Sequence, residues 1–244
     1  MTKGRKARPR RAQARSAETR QLILDRALAL FRQRGFERTT MRQIAADADL
    51  SLGAAYYYFP SKEAIVLAYY QRHQDEHAAR FRAAVERAGA GPGPERVRLL
   101  LDSKLELLRR DRRLLTALFG ALFQSVGQPA APLSVFSADT APVRRAAIDL
   151  CREALGGDDP LLALSLWLTQ LGLILYFVHD RSPRQERTRR LLDGTIPLLL
   201  PLLLAARSPL ADPVRAQLTA LLGDAGLLEG EAGPPPPRRV TTGG

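Results

Sequence analysis

Apolar residues recur three and four positions apart through nearly the whole of this 244-residue chain, and apolar-polar alternation never persists beyond a few residues. Helices that each bury one face satisfy that pattern and a sheet does not, so the predicted fold class is all-α. A hydrophobic share of 45% with 25% charged residues is enough to build a core. With one cysteine, Cys151, an intramolecular disulfide or a cysteine-rich zinc site is excluded. Its helical neighbours Ile148 and Leu155 mark it as a small buried hydrophobe. The first 15 residues lack the apolar stretch of a signal peptide, so a cytoplasmic, nucleoid-associated location is expected.

Punctuating residues divide the helices. One runs from about Glu18 to Arg34, with Ile23, Ala27, Leu30 and Phe31 on one face, and stops at Gly35. Thr40 with Gln43 spells a capping box for a short helix whose buried side is Ile44, Ala45 and Ala48. After a turn over Asp47 to Leu50, Ser51 caps a third helix that Pro60 ends. Ser61 opens a helix from about Lys62 to Ala88, on the order of 40 Å long. The run Gly89 to Pro94 then breaks the chain, and helices are predicted at about 95–110, 112–124, 142–155, 159–180, 184–206 and 212–222, with a loop over 125–141. The expected organisation is a disordered basic arm (1–17), a three-helix head (18–62), a connecting helix and linker (63–94), a helical domain (95–224) and a disordered Pro/Gly-rich tail (225–244).

The net charge of +12 is unevenly spread: residues 1–88 hold 18 Lys and Arg against 9 Asp and Glu. Seven of those cations, Lys3, Arg5, Lys6, Arg8, Arg10, Arg11 and Arg15, precede the first acid, Glu18, and Pro9 opposes helix there. Such an arm seeks a polyanion, although a solubilising tail has the same composition. Leu161 to Val178 has nearly the length of a membrane span, about 18 residues or more. Ser165, Thr169 and Gln170 interrupt it and Asp158 and Asp159 precede it, so it reads as a buried central helix or dimer seam and no membrane partner is expected.

Three helices, the last two joined by a tight turn, match a helix-turn-helix with its third helix as the reader. The residues are Gly35-Phe36-Glu37-Arg38-Thr39-Thr40-Met41-Arg42-Gln43-Ile44-Ala45, then Ala48-Asp49-Leu50-Ser51-Leu52-Gly53-Ala54-Ala55-Tyr56-Tyr57-Tyr58-Phe59-Pro60-Ser61-Lys62-Glu63. This run strongly resembles the DNA-binding domain of the TetR (tetracycline-repressor-like) family of bacterial transcriptional regulators, closely over about residues 18–65. Asp49 departs from the pattern, standing where a glycine is common; Asp tolerates the left-handed conformation better than most residues.

Thr39, Thr40 and Ser51 sit at helix N-termini, where hydroxyls and free N–H groups favour phosphate. Tyr56 and Lys62 offer a hydroxyl and a cation to the same backbone. Tyr58 and Phe59 are expected to pack inward and Tyr57 to face the groove. Base reading from the third helix rests on Leu52, Ala54, Ala55 and Tyr57, which suit thymine methyls. Arg42 is the nearest candidate for guanine, with a solvated surface arginine as the alternative.

The resemblance implies a homodimer on a palindromic operator, acting as a repressor that a small, largely apolar effector releases. The second domain then dimerises, through the helices at 159–180 and 184–206, and holds the effector. Leu105, Leu108, Leu115, Phe119, Phe123, Trp167, Leu171 and Tyr176 are the candidates to line its pocket, with plain core as the alternative. His73, Glu76 and His77 spell H-x-x-E-H, but no third zinc ligand is recognisable and the segment reads as a solvated helix face. No phosphate loop, Ser/His/Asp set or buried carboxylate pair emerges, so neither an enzyme nor a cofactor is expected. A basic helical interaction protein or membrane-surface adaptor is the alternative function.

Overall fold

The computed structural model describes residues 7–124, 133–205 and 208–224, and all regular structure among them is helical. The helices are α1 (Ala7–Arg34), α2 (Met41–Asp47), α3 (Leu52–Tyr58), α4 (Lys62–Ala88), α5 (Pro94–Gln124), α6 (Ala141–Leu155), α7 (Pro160–His179), α8 (Glu186–Ala205) and α9 (Asp212–Asp224). Single 3-10 turns over Pro183–Gln185 and Pro209–Ala211 lead into α8 and α9.

Two boundaries correct the sequence expectation. Periodicity starts α1 at Glu18, whereas the helix begins at Ala7 and takes in most of the arm expected to be disordered. Alanine and arginine are good helix formers, and Pro9 falls in the first turn, where no backbone N–H is needed. Residues 1–6 of that arm, the tail over 225–244 and residues 125–132 of the predicted loop lie outside the described residues. The second correction is α5, a single helix where two are expected with a break at Asp111. The charged run from Arg109 to Arg113 resembles a solvated turn, yet it contains no helix breaker, and Asp111 and Arg112 within it have tertiary partners.

One buried cluster runs from Ile23, Phe31, Ile44 and Phe59 in the head, through Ile65, Tyr69 and Phe81 on α4, to Leu100, Leu118, Leu166 and Phe177 beyond. The glycine-proline break at 89–94 therefore turns the chain without separating two cores. Gly89 closes α4 with a positive φ of 62°, and α5 folds back along α4 and touches α1. Apolar on every side, α7 is long enough to cross a membrane, but it packs on α5, α6 and α8 and buries Leu162, Leu166, Trp167, Ile174 and Phe177, as expected of a central helix. Cys151 is fully buried, and burial pushes its thiol up to about 12.

Two polar devices fix the far end of α7. Arg112 donates to the carbonyls of Val178 and Asp180, where the helix C-terminus carries partial negative charge. Burial would raise the Asp180 carboxyl, but bonds from the backbone and hydroxyls of Ser182 and Thr188 hold it well below the usual carboxylate range and staple α7 to α8.

Candidate DNA interface and effector cavity

The head presents α3 to solvent because its two flanking turns are tightly made. Thr40 caps α2, accepting from Gln43 N at 3.2 Å while Gln43 Oε1 accepts from Thr40 N at 2.9 Å. Ser51 caps α3, accepting from Ala54 N at 3.1 Å. Between them Asp49 adopts φ 55°, the left-handed turn that the sequence requires of it. Phe59 is buried under the Arg20 guanidinium, and Tyr58 packs on the core edge-to-face with Tyr57 at 5.1 Å. This leaves Tyr57 81% exposed on a rigid support, with Tyr56, Ser51, Thr40 and Arg42 exposed beside it and Leu52 and Ala54 half-buried.

Three residues expected at that interface do other work. Thr39 is fully buried and its hydroxyl donates to the Gly35 carbonyl at 2.8 Å, closing the end of α1. Ala55 is also fully buried, because it lies on the face of α3 that packs against the head. Lys62 Nζ donates to the carbonyls of Phe36 at 2.9 Å and Glu37 at 3.5 Å and lies over the Phe36 ring, so its cation clamps the α1–α2 turn.

Beyond the head, α4, α5, α6 and α7 enclose a cavity of about 290 Å³. Leu108, Leu115, Trp167 and Leu171 line it as the sequence suggests. Leu105 instead faces a cleft between α4, α5 and α8, and Tyr176 points outward, 40% exposed. The side chains of Phe119 and Phe123 lie outside the described residues. Sequence reasoning misses the polar side of the cavity: Tyr69, Tyr70, His73 and Gln74 from α4, Lys104 from α5, Arg144 from α6 and Gln170 from α7. A helical period tighter than the apolar stripe could have found the α4 group, since 69, 70, 73, 74 and 77 share one face.

His73 and His77 therefore do not stand on a solvated face, as the sequence suggests; both are buried. His77 Nε2 donates to the Leu100 carbonyl at 3.0 Å, and burial holds its pKa down at about 3, so the ring is neutral. His73 Nε2 lies 3.0 Å from Asp111 Oδ2. Glu76 points away and pairs with Arg80. Among the described residues no group of three His, Cys, Asp or Glu is placed to hold a metal ion.

Asp111 gathers more than His73. Tyr69 Oη donates to it at 3.2 Å and Arg32 of α1 at 2.6 Å. The His73 bond foremost, then Arg32, hold this carboxyl far below its ordinary range despite partial burial. One carboxylate thus joins a cavity wall to a helix of the head.

Residues 23–69 match the family model for bacterial regulatory proteins of the tetR family. The head is a tetR-family DNA-binding domain. YuxN of Bacillus subtilis (strain 168), named an uncharacterized HTH-type transcriptional regulator, is 41% identical over 64 residues, which cover 26% of this chain and 22% of YuxN. The HTH-type transcriptional repressor KstR of Rhodococcus jostii (strain RHA1) is 34% identical over 104 residues, 41% of this chain and 46% of KstR. Less than half of either relative's length is matched. The fold extends further: the solved structure of the fatty acid degradation regulator FadR from Bacillus halodurans superposes with a TM-score of 0.57 at 20% identity, over 75% of this chain and 94% of that one.

Within the tetR-family head, the matched residues explain why α3 is so short and so bare. Its N-cap, its buried Ala55 and its terminal aromatic pair are spent on holding the helix, and only one face, from Gly53 to Tyr57, remains open. That face carries Gly53 with the exposed rings of Tyr56 and Tyr57, and α3 has no charged side chain.

Proposed function

We propose that the chain is a ligand-responsive transcriptional regulator, a homodimeric repressor that binds a palindromic operator and releases it when a small, largely apolar effector occupies the cavity. The observation that carries this reading is the Asp111 junction, because it bonds to Tyr69 and His73 on the cavity wall and to Arg32 of α1 at once. A ligand that displaces either wall residue changes the docking of the head. Operator affinity then falls by the effector's differential affinity for the two arrangements.

Dimerisation finds support in large apolar side chains left exposed on the two helices: Leu168 and Tyr176 of α7 and Leu191 and Leu198 of α8. Paired with a second copy these helices make a four-helix seam, and two reading helices reach successive major grooves about 34 Å apart. KstR, which is similar to this chain over 104 residues, is a transcriptional repressor, and that supports repression as the output. Thr40, Ser51 and Tyr56 then contact phosphates, and Tyr57, Arg42, Leu52 and Ala54 face bases.

Footprinting on promoter DNA next to the gene tests this. A two-fold symmetric protected site, lost in Tyr57→Ala at unchanged helicity, is the expected result. Uniform, sequence-independent coverage by wild type and variant alike would rule the reading out in favour of a general basic binder.

A further inference from the structure

We propose that the cavity selects an amphipathic carboxylic acid, with its carboxylate on Lys104 and its hydrocarbon body between Trp167 and the surrounding leucines. This rests on the reading of the cavity as the effector site and names the ligand class.

The charge balance of the lining comes first. Among the described residues it includes two basic side chains, Lys104 and Arg144, and no aspartate or glutamate, the carboxylate of Asp111 being engaged by Tyr69, His73 and Arg32. Arg144 donates to the carbonyls of Val135 and Ser137, at 3.1 and 3.3 Å, which ties it to the loop before α6. Lys104 is placed differently. Its ammonium has three donors, and it meets Gln74 Oε1 at 3.5 Å, the outer limit of a hydrogen bond, to an amide that carries no charge. A cation facing an apolar cavity without a carboxylate is destabilising unless an anion joins it.

Unmet polar atoms on the same walls agree. Tyr70 Oη is buried with no hydrogen-bond partner among the described residues and can donate to a carboxylate oxygen. Gln170 Oε1 and His73 Nδ1 are likewise buried and unmet, and suit a hydroxyl or N–H on the ligand. The remaining walls, including Leu108, Leu115, Leu133, Val135 and Leu171, are hydrocarbon. An amine would be repelled by this lining, and a neutral ligand would leave the ammonium unpaired.

Burial brings Lys104 down to about 8, so it carries its charge at neutral pH and loses it just above. The titratable or charged groups on the surrounding walls are Tyr69, Tyr70, His73 and His77 of α4, Asp111 of α5, bonded to Tyr69 and His73, and Arg144 and Cys151 of α6, while α7 contributes the neutral Gln170. Tyr70 and Cys151 are pushed up by burial and His77 is held at about 3, so these three do not change charge near pH 8.

Trp167 is the sole tryptophan and lines the cavity, so its emission reports occupancy directly. The full chain is titrated with octanoate, octan-1-ol and octylamine, as wild type, Lys104→Met and Lys104→Arg. Octanoate is expected to bind at least tenfold tighter than octanol, with octylamine weakest, and its affinity to fall as pH rises through 8. Lys104→Met should lose tenfold or more for octanoate and keep octanol, while Lys104→Arg retains the preference. Equal affinity for acid and alcohol, a preference for the amine, parallel loss of both ligands in Lys104→Met, or no response to any probe would overturn the proposal. If octanoate binds with this selectivity while retention of the footprinted DNA is unchanged, the ligand class stands and the effector reading falls.

Discussion

Asp111 is a residue on which three elements depend, since α1, α4 and α5 all meet at its two oxygens. Asp111→Asn keeps the shape and removes the charge, leaving Arg32 and the His73 ring with a weaker acceptor. The expected loss is about 2 kcal/mol in denaturant melts, below that of a fully buried pair because the site is partly open to water. Its carboxyl is depressed in the folded protein, so its contribution is complete above the ordinary carboxylate pKa and disappears as pH falls through and below it.

His77 acts in a higher window. With a folded pKa of about 3 against an ordinary 6.5, it stays neutral in the fold while the unfolded chain takes up a proton. Stability therefore declines as pH drops from about 6.5 towards 3. His77→Gln keeps a donor for the Leu100 carbonyl, and thermal melts between pH 7 and 4 should show a flatter decline than wild type; an unchanged slope would refute the assignment. Such roles are where sequence reading stops. Residue type marks Lys62 and Thr39 as phosphate ligands and the two histidines as surface groups. What decides otherwise is the proximity of Phe36, Gly35, Leu100 and Asp111, which only the packed chain supplies.

Elements were more legible than their joints. Caps and breakers place α2, α3, α4, α6 and α7 within a residue or two, because Thr40, Ser51, Ser61, Asp159 and the glycines at 89 and 156 act locally. The expected break in α5 does not occur, because Asp111 and Arg112 point at other helices and are held there. Gly156 shows how a joint goes beyond its cap: φ is 66°, and an added Cβ would stand 2.2 Å from Pro92 Cβ. Gly89 has a similar φ, 62°, with nothing near. Gly89→Ala should then cost about 1 kcal/mol from backbone strain alone, and Gly156→Ala clearly more, because the α4–α5 turn must move. Equal melting shifts for the two variants would contradict this docking of α6.

At the scale of the whole molecule, the all-helical class and the order of head, long helix and second domain followed from periodicity and the resemblance. The cavity did not, since its polar side comes from helices far apart in sequence. Exposed Leu168 is a direct probe of the proposed seam. Leu168→Glu should convert a dimer into a monomer in sedimentation runs and weaken operator binding while the cavity still binds its ligand; a monomeric wild type would remove the dimer from the proposal. Salt should weaken DNA binding steeply, through the cations of the first helix and the residues before it.

The Lys62 clamp has a mechanical consequence. By joining α4 to the carbonyls of Phe36 and Glu37, it makes the helix and the head a single stiff arm, without play at the elbow. From His73 to Lys62 that arm is about 16 Å long, so a tilt of about 5° at the cavity displaces its end by about 1.4 Å. In the proposed dimer, two arms tilting in opposite senses would change the span between reading helices by roughly 3 Å, against a groove repeat of about 34 Å. In that proposed dimer, a sideways shift of the helix at the cavity is carried along the arm to the reading helix rather than absorbed at the elbow.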